Sequence, residues 1–352
     1  MTTSTVSTEP ATGGSPAPPP ARTHHGTAAL VALVCAGVLV VGTLWGLSLG
    51  SEHIGWGTVL RSWFSADSPA QEIVRTIRMP RILLAALVGA NLAAAGTLMQ
   101  AITANPVASP DIMGVNAGAA VVVVTAITVL PSIAGAPTIL LAFVGAAAAG
   151  FTVMALAGMG SGKVSPVRLA LAGVTASTLL VSLTQVLVIF HENDTQSVLF
   201  WLVGGVNFAQ WHDVTTALPW SLAGLAGAMA LARSLNILAL GEDMARGLGQ
   251  NVERTRALGA VTVIVLCGAT VAVAGPIAFV GLIAPHIVRR LVGSNHVIVV
   301  PLSALTGAAI TVYADIGSRY VNPPYEVPTG VVTALVGAPI FIYLARRQKA
   351  RT

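Results

Sequence analysis

Long apolar segments without ionisable groups near their centres constrain this chain more than any other feature of its sequence. A helix that crosses a bilayer needs about 20 such residues, and ten segments match this pattern, one of them short and bounded by prolines. They are residues 27–49, 82–104, 112–130, 138–158, 167–190, 214–232, 257–274, 277–288, 297–314 and 327–345. With only 9% charged and 55% hydrophobic residues, the chain lacks the polar surface of a soluble globule. The sequence therefore predicts an all-α polytopic membrane protein with about ten transmembrane helices.

The loops between these segments indicate the orientation. Residues 1–25, rich in Thr, Ser, Pro and Ala, cannot form a core and are predicted to be a disordered tail, so the membrane domain is 26–352. With both termini cytoplasmic, thirteen of the eighteen Lys and Arg residues lie inside. The five outside are Arg61, Arg75, Arg78, Arg81 and Arg319. The positive-inside rule favours this topology in the cell membrane. Tryptophans 45, 56, 63, 201 and 211 would then form an aromatic belt among lipids near the outer boundary.

Signs of catalytic or cofactor chemistry are lacking. No segment carries Asp, Glu, Lys or Arg near its middle, which argues against a proton-coupled pump. Cys35 and Cys267 lie within apolar segments and favour neither a disulfide nor a metal site. The GSGK sequence in 157–164 lacks the flanking residues and preceding strand of a phosphate loop. Basic residues are spread over loops, so we expect no nucleic-acid binding, no enzyme activity and no cofactor bound by this chain itself.

One long polar loop interrupts the second half, at residues 233–256. Glu242 and Asp243 favour the start of a short helix, and Arg246 follows Glu242 by four residues. Gly247 and Gly249 would end that helix. Asn251 can cap a second helix. On composition alone an ordinary solvated loop explains this segment equally well.

A narrow stripe of small and polar residues marks the fifth segment. Gly173, Ser177 and Thr184 lie within about 40° of one another at 100° per residue. The stripe favours either a lining for a translocation pathway or a close contact between helices.

Three stretches carry a resemblance to a known family. The first is RMPRILLAALVGANLAAAGTLMQAITANPVASPDIMGVNAGAA at 78–120, the second GPIAFVGLIAPHIVRRLVG at 275–293, and the third EVPTGVVTALVGAPIFIYL at 326–344. Together the chain resembles the permease subunits of bacterial ABC importers for ferric siderophores, haem and vitamin B12. The resemblance implies a dimer of ten-helix subunits, a cytoplasmic ATPase that binds ATP and Mg, and an extracytoplasmic substrate-binding protein.

The resemblance also assigns roles to particular residues. The 233–256 loop would couple the permease to the ATPase through Gly241, Glu242, Asp243, Arg246, Gly247 and Gly249. The binding protein would dock through Arg78, Arg81 and Arg319, although anchoring in lipid headgroups also explains outer arginines. These arginines have no evident reason to face outwards at helix ends without an anionic partner. The expected cargo is a ferric siderophore, with vitamin B12 or haem as alternatives. The alternative hypotheses from other functional classes are a secondary transporter and a membrane enzyme.

Overall fold

The structure is a computed structural model that describes residues 25–50, 54–64, 67–110, 114–129, 138–158, 166–190, 201–321 and 325–349. Thirteen α-helices are assigned bounds in these ranges. They are α1 (His25–Ser48), α2 (Trp56–Arg61), α3 (Pro69–Ile73), α4 (Met79–Ile102), α5 (Val115–Val129), α6 (Thr138–Gly158), α7 (Pro166–Phe190), α8 (Trp211–Leu238), α9 (Glu242–Gly247), α10 (Val252–Ala274), α11 (Val280–Val292), α12 (His296–Ser318) and α13 (Thr329–Lys349). A π-helical turn, Val74–Arg78, joins α3 to α4.

Helix α4 is the centre of the structure, with most of its residues buried against α8, α10, α11 and α12. Paired glycines allow these helices to approach at backbone distance. A Cβ atom added to Gly89 would lie 2.2 Å from the carbonyl oxygen of Gly307 on α12. One added to Gly96 would lie 1.8 Å from that of Gly281 on α11. The small residues of α4 therefore pack helices in the way that is common inside membranes.

Other helices surround this centre. Helix α1 packs on α12 and α11 and is otherwise largely exposed. Helices α5, α6 and α7 pack on one another, and α10 joins them to α4 and α8. Helix α13 packs on α12 and α11.

The predicted all-α membrane fold is confirmed. Each of the ten predicted segments overlaps one of the helices that has 13 or more residues. Seven helical stretches are long and apolar enough to cross a membrane, and among them α3, the π turn and α4 form one continuous 34-residue stretch. The remaining three, α5, α11 and α13, are shorter or apolar over a shorter length.

Most predicted boundaries differ from the structure by several residues, and those of the polar loop and of the tail change the assignment of a named residue. The polar loop begins later than residue 233, because α8 continues to Leu238 and places Arg233 within the helix. Likewise His25, assigned to the tail, is the first residue of α1. The remainder of the predicted tail, residues 1–24, lies outside the described residues.

Candidate functional site

The loop between α8 and α10 is a compact knob built around the short helix α9. As predicted, Glu242 begins α9, and the Asn251 side chain caps α10 by accepting a hydrogen bond from the Arg254 amide at 2.8 Å. Arg246 pairs with Glu242 at 2.7 Å and with Glu253 at 2.5 Å. These side chains are more than a third exposed, so the ion pairs add little stability. These ion pairs of Arg246 hold α9 against the start of α10.

A buried centre holds the knob to the spans. Ala245 on α9 and Val252 on α10 are both fully buried. Gln250 donates hydrogen bonds to the Ser234 carbonyl at 2.9 Å and to the Thr255 hydroxyl at 3.0 Å, and so connects α8 to α10. The knob is thereby held to two long helices at once.

The glycines of the knob differ in their backbone requirements. Gly241 and Gly249 have φ values of 104° and 81°, in the region that side-chain-bearing residues rarely adopt. Gly247 is the last residue of α9, and a Cβ atom there would meet nothing within 4 Å. The helix ends between Gly247 and Gly249 as predicted, but of these two only Gly249 has a backbone conformation that favours glycine.

An apolar surface on the knob was missed by the sequence reasoning. Leu240, Met244 and Leu248 recur at four-residue spacing and are 64%, 58% and 60% exposed. Large apolar side chains on an otherwise charged loop are typical of a protein contact. Their four-residue spacing is the signal for this surface in the sequence.

At the opposite end of the helices, the predicted docking arginines are buried. Arg81 is 6% exposed, and its Nε donates to both oxygens of the fully buried Asp315 at 2.9 and 3.0 Å. Its Nη1 donates to Glu326 at 2.6 Å, and Glu326 also accepts from Asn207 at 3.1 Å. Arg319 donates to Asp315 at 2.7 Å. We call Arg81, Asp315, Arg319 and Glu326 the outer charge cluster, after the side of the membrane that the sequence predicts for them.

Two of these arginines also cap α1. Arg78 donates to the carbonyls of Leu47 and Ser48 at 2.9 and 2.8 Å, and Arg319 donates to those of Gly46 and Leu49 at 2.9 and 2.7 Å. The last carbonyls of a helix lack partners within it, and cations are favourable at this end.

The premise behind the docking prediction is therefore wrong. Arg81 and Arg319 find their anions within the chain, in Asp315 and Glu326, and Arg78 binds the carbonyl end of α1. The sequence carried a signal for this pairing, since Asp315 precedes Arg319 by four residues on one helix. A docking role for these arginines stays a prediction.

The pathway stripe on α7 meets a cavity. Ser177 and Thr184 line a space of about 430 Å³ together with residues of α5 and of the segment after α10. Its full lining is Asn116, Ala117, Ala120, Ser177, Val181, Thr184, Gln185, Leu202, Pro276 and Ala278. The third stripe residue, Gly173, is buried but lies outside this lining. Two of the three predicted residues are thus brought to one cavity, and the described residues of its lining offer apolar, hydroxyl and amide groups.

A second cavity of about 630 Å³ lies on the other side of the same segment. Pro276 and Ala278 belong to both linings, and α13 supplies most of the remaining wall. The segment ends at Phe279, a non-glycine residue held at φ 69°. Gly337 of α13 permits this arrangement, because a Cβ atom there would lie 2.4 Å from that of Phe279. A non-helical segment therefore borders both cavities, and only its glycine and proline indicate it in the sequence.

Uncharged cavities between membrane-spanning helices, with a folded knob at one end, are typical of a membrane transport subunit. The comparisons with known proteins agree. Residues 38–347 match the FecCD transport family, and the chain belongs to that family. It is 44% identical over 319 residues to the Fe(3+)-citrate import system permease protein YfmD of Bacillus subtilis, covering 90% of this chain and 94% of YfmD. It is also 44% identical over 288 residues to the cobalamin import system permease protein BtuC of Halobacterium salinarum, covering 82% and 77% respectively.

A solved structure shows the same architecture. It is an inward-facing conformation of a metal-chelate type ABC transporter, with a TM-score of 0.78 and 30% sequence identity. The match covers 91% of this chain and 99% of the solved one. The packing of the described helices around α4 is therefore an architecture that this chain shares with that transporter.

Proposed function

We propose that this chain is the permease subunit of an ATP-driven importer that carries ferric siderophores across the cell membrane. The similarity to YfmD, an Fe(3+)-citrate import permease, over 90% of the chain is the observation that carries the proposal. The subunit pairs with a second copy or a close relative. An extracytoplasmic binding protein delivers the cargo at the end that holds the outer charge cluster. Both termini and the knob face the cytoplasm.

A cytoplasmic ATPase binds at the knob and hydrolyses ATP with Mg, so this chain is not itself the enzyme. The exposed Leu240, Met244 and Leu248 give such a partner an apolar contact. Charged side chains surround this contact, as at the rim of many protein interfaces. Since Gln250 bonds to both α8 and α10, closure of the ATPase would shift these two helices together.

The cavity linings favour a cargo whose metal is already chelated. A bare ferric ion would be bound by carboxylate, imidazole or thiolate groups, and the two linings contain only apolar, hydroxyl and amide side chains. Within the described residues there is no group of three His, Cys, Asp or Glu side chains placed to hold a metal. A siderophore supplies its own ligands, so weak contacts with its outer surface suffice for passage.

Uptake by intact cells tests this proposal. A strain lacking the chain should lose uptake of radioactive iron supplied as ferric citrate or ferric hydroxamate, and the cloned chain should restore it. Uptake should need ATP and persist when the proton gradient is collapsed. Dependence on that gradient with ATP still present would instead indicate a secondary transporter.

Cobalamin is the second candidate, because BtuC of Halobacterium salinarum is as similar in identity as YfmD, although over a shorter alignment. Haem is the third candidate cargo, and only the resemblance of the sequence supports it. The same deletion strain should be tested with radiolabelled cobalamin and with haem as the iron source. Loss of one of these uptakes with ferric-siderophore uptake intact would reassign the cargo.

A further inference from the structure

The short helix α2 and the turn after it carry an unpaired apolar face. Trp56, Leu60, Trp63 and Phe64 are 50%, 57%, 56% and 93% exposed. At 100° per residue these four side chains fall within about 100° of arc. Val59 and Ser62, on the adjoining side, are fully buried. Helical hydrogen bonds continue past α2, from Ser62 N to Thr58 O and from Phe64 N to Arg61 O, so the four side chains share one face.

The position of this face is set by the end of α1. Ser48, the last residue of α1, accepts a hydrogen bond from the Ile54 amide at 3.1 Å, and its hydroxyl donates to the Ile54 carbonyl at 2.8 Å. Trp56 follows two residues later, within about 8 Å of that point. The segment therefore lies beside the end of the apolar helix α1.

Helix α2 contacts α1, whose exposed side is also apolar. Leu33, Val34 and Val41 are each more than half exposed along the helix, and Trp45 in its last turns is 42% exposed. The described stretch 54–64 contains no acidic residue, and Arg61 flanks the apolar face. Aromatic and apolar side chains with a nearby arginine are typical of segments that lie in the plane of a membrane interface.

We propose that residues 56–64 form an interfacial anchor, in which Trp56, Leu60, Trp63 and Phe64 insert among the lipids of the outer leaflet while Arg61 lies at the phosphate level. The anchor contacts α1 and α3. Since α3 continues through the π turn to Arg78, which caps α1, the anchor fixes the outer ends of α1 and α4 relative to the lipid surface.

The proposal is tested by fluorescence quenching in vesicles, which requires no transport. Phe64→Cys is introduced into the full-length chain with Cys35→Ala and Cys267→Ala and labelled with an environment-sensitive dye. Phe64 is 93% exposed, so its replacement removes little packing. The vesicles contain phosphatidylcholine and phosphatidylglycerol, with spin labels either near the lipid carbonyls or near the chain ends. Glu72→Cys on α3, also exposed, and Leu33→Cys within α1 are the matched controls.

The dye at residue 64 should be quenched strongly by the shallow spin label, weakly by the deep one and little by aqueous iodide. At residue 72 iodide should quench most, and at residue 33 the deep label should. Iodide quenching at 64 equal to that at 72 would overturn the proposal and indicate a surface open to a soluble protein. Protection at 64 from iodide and from both spin labels would overturn it in favour of a contact between subunits. A second reporter, Trp63→Cys, should repeat the pattern of residue 64.

Discussion

Replacing Asp315 tests the interpretation of the outer charge cluster. Asp315 is fully buried and accepts hydrogen bonds from Arg81 and Arg319, whose side chains are only 7% and 8% exposed. Removing one partner of a buried ion pair costs about 3–5 kcal/mol, because the other charge stays buried. We expect Asp315→Ala to lose stability in this range. Asp315→Asn keeps the shape of the side chain and one acceptor oxygen. Since a hydrogen bond to a charged group is worth about 1.5–3 kcal/mol, Asp315→Asn should destabilise the protein less than Asp315→Ala does.

Glu326 supplies the matched comparison within the same cluster. Its side chain is 40% exposed, and solvent screening should reduce the cost of Glu326→Gln to about 1 kcal/mol or less. Asp243→Asn, on the exposed knob, removes only a charge at the start of α9, which should cost less than about 1 kcal/mol, and it serves as the control. The expected order of destabilisation is therefore Asp315→Ala, then Asp315→Asn, then Glu326→Gln.

Thermal unfolding of the detergent-purified protein measures this order. A dye that fluoresces on reacting with a thiol reports unfolding through the fully buried Cys267, in a Cys35→Ala background. Equal losses for Asp315→Ala and Glu326→Gln, or no loss for Asp315→Ala, would refute the argument from burial. The result also bears on docking, because charge reversal of Arg81 should then impair folding before any effect on a binding protein can be measured.

Three further outcomes follow from the structure. Gly249→Val forces a branched side chain into the left-handed region at a cost of about 1–2 kcal/mol, so it should uncouple ATP hydrolysis from transport. Gly247→Val should leave ATP hydrolysis and transport normal, and equal behaviour of the two variants would contradict the backbone argument. Gly96→Val should cost more than about 3 kcal/mol by overpacking against Gly281 and reduce the folded protein in membranes, while Gly37→Val, with nothing within 4 Å, should not. Cysteines at Ser177 and Thr184 should react with a polar thiol reagent, whereas a cysteine at the 69% exposed Leu179 should not, because it faces lipid. Similar labelling at all three positions would contradict the assignment of the cavity to a pathway.

The sequence by itself determined the number and nature of the membrane helices. Apolar length is a local property, and in a bilayer it fixes a helix whatever its neighbours are. Local signals also placed the short helix at Glu242, the pair with Arg246 and the cap at Asn251, since each depends on residues within one or two turns. The resemblance in three stretches identified the family, which the match over residues 38–347 then confirmed.

Only the tertiary structure decided which groups meet across the fold. Arg81 lies 234 residues from Asp315 and 245 from Glu326 along the chain, so no local pattern shows that an outer cation is neutralised there. Likewise the cavity beside Ser177 and Thr184 exists because α5, α7 and the segment after α10 converge. The left-handed Phe279 depends on the close approach of Gly337. Membrane insertion is determined by single segments, whereas burial of charge and the shape of a cavity are determined by several helices packing together.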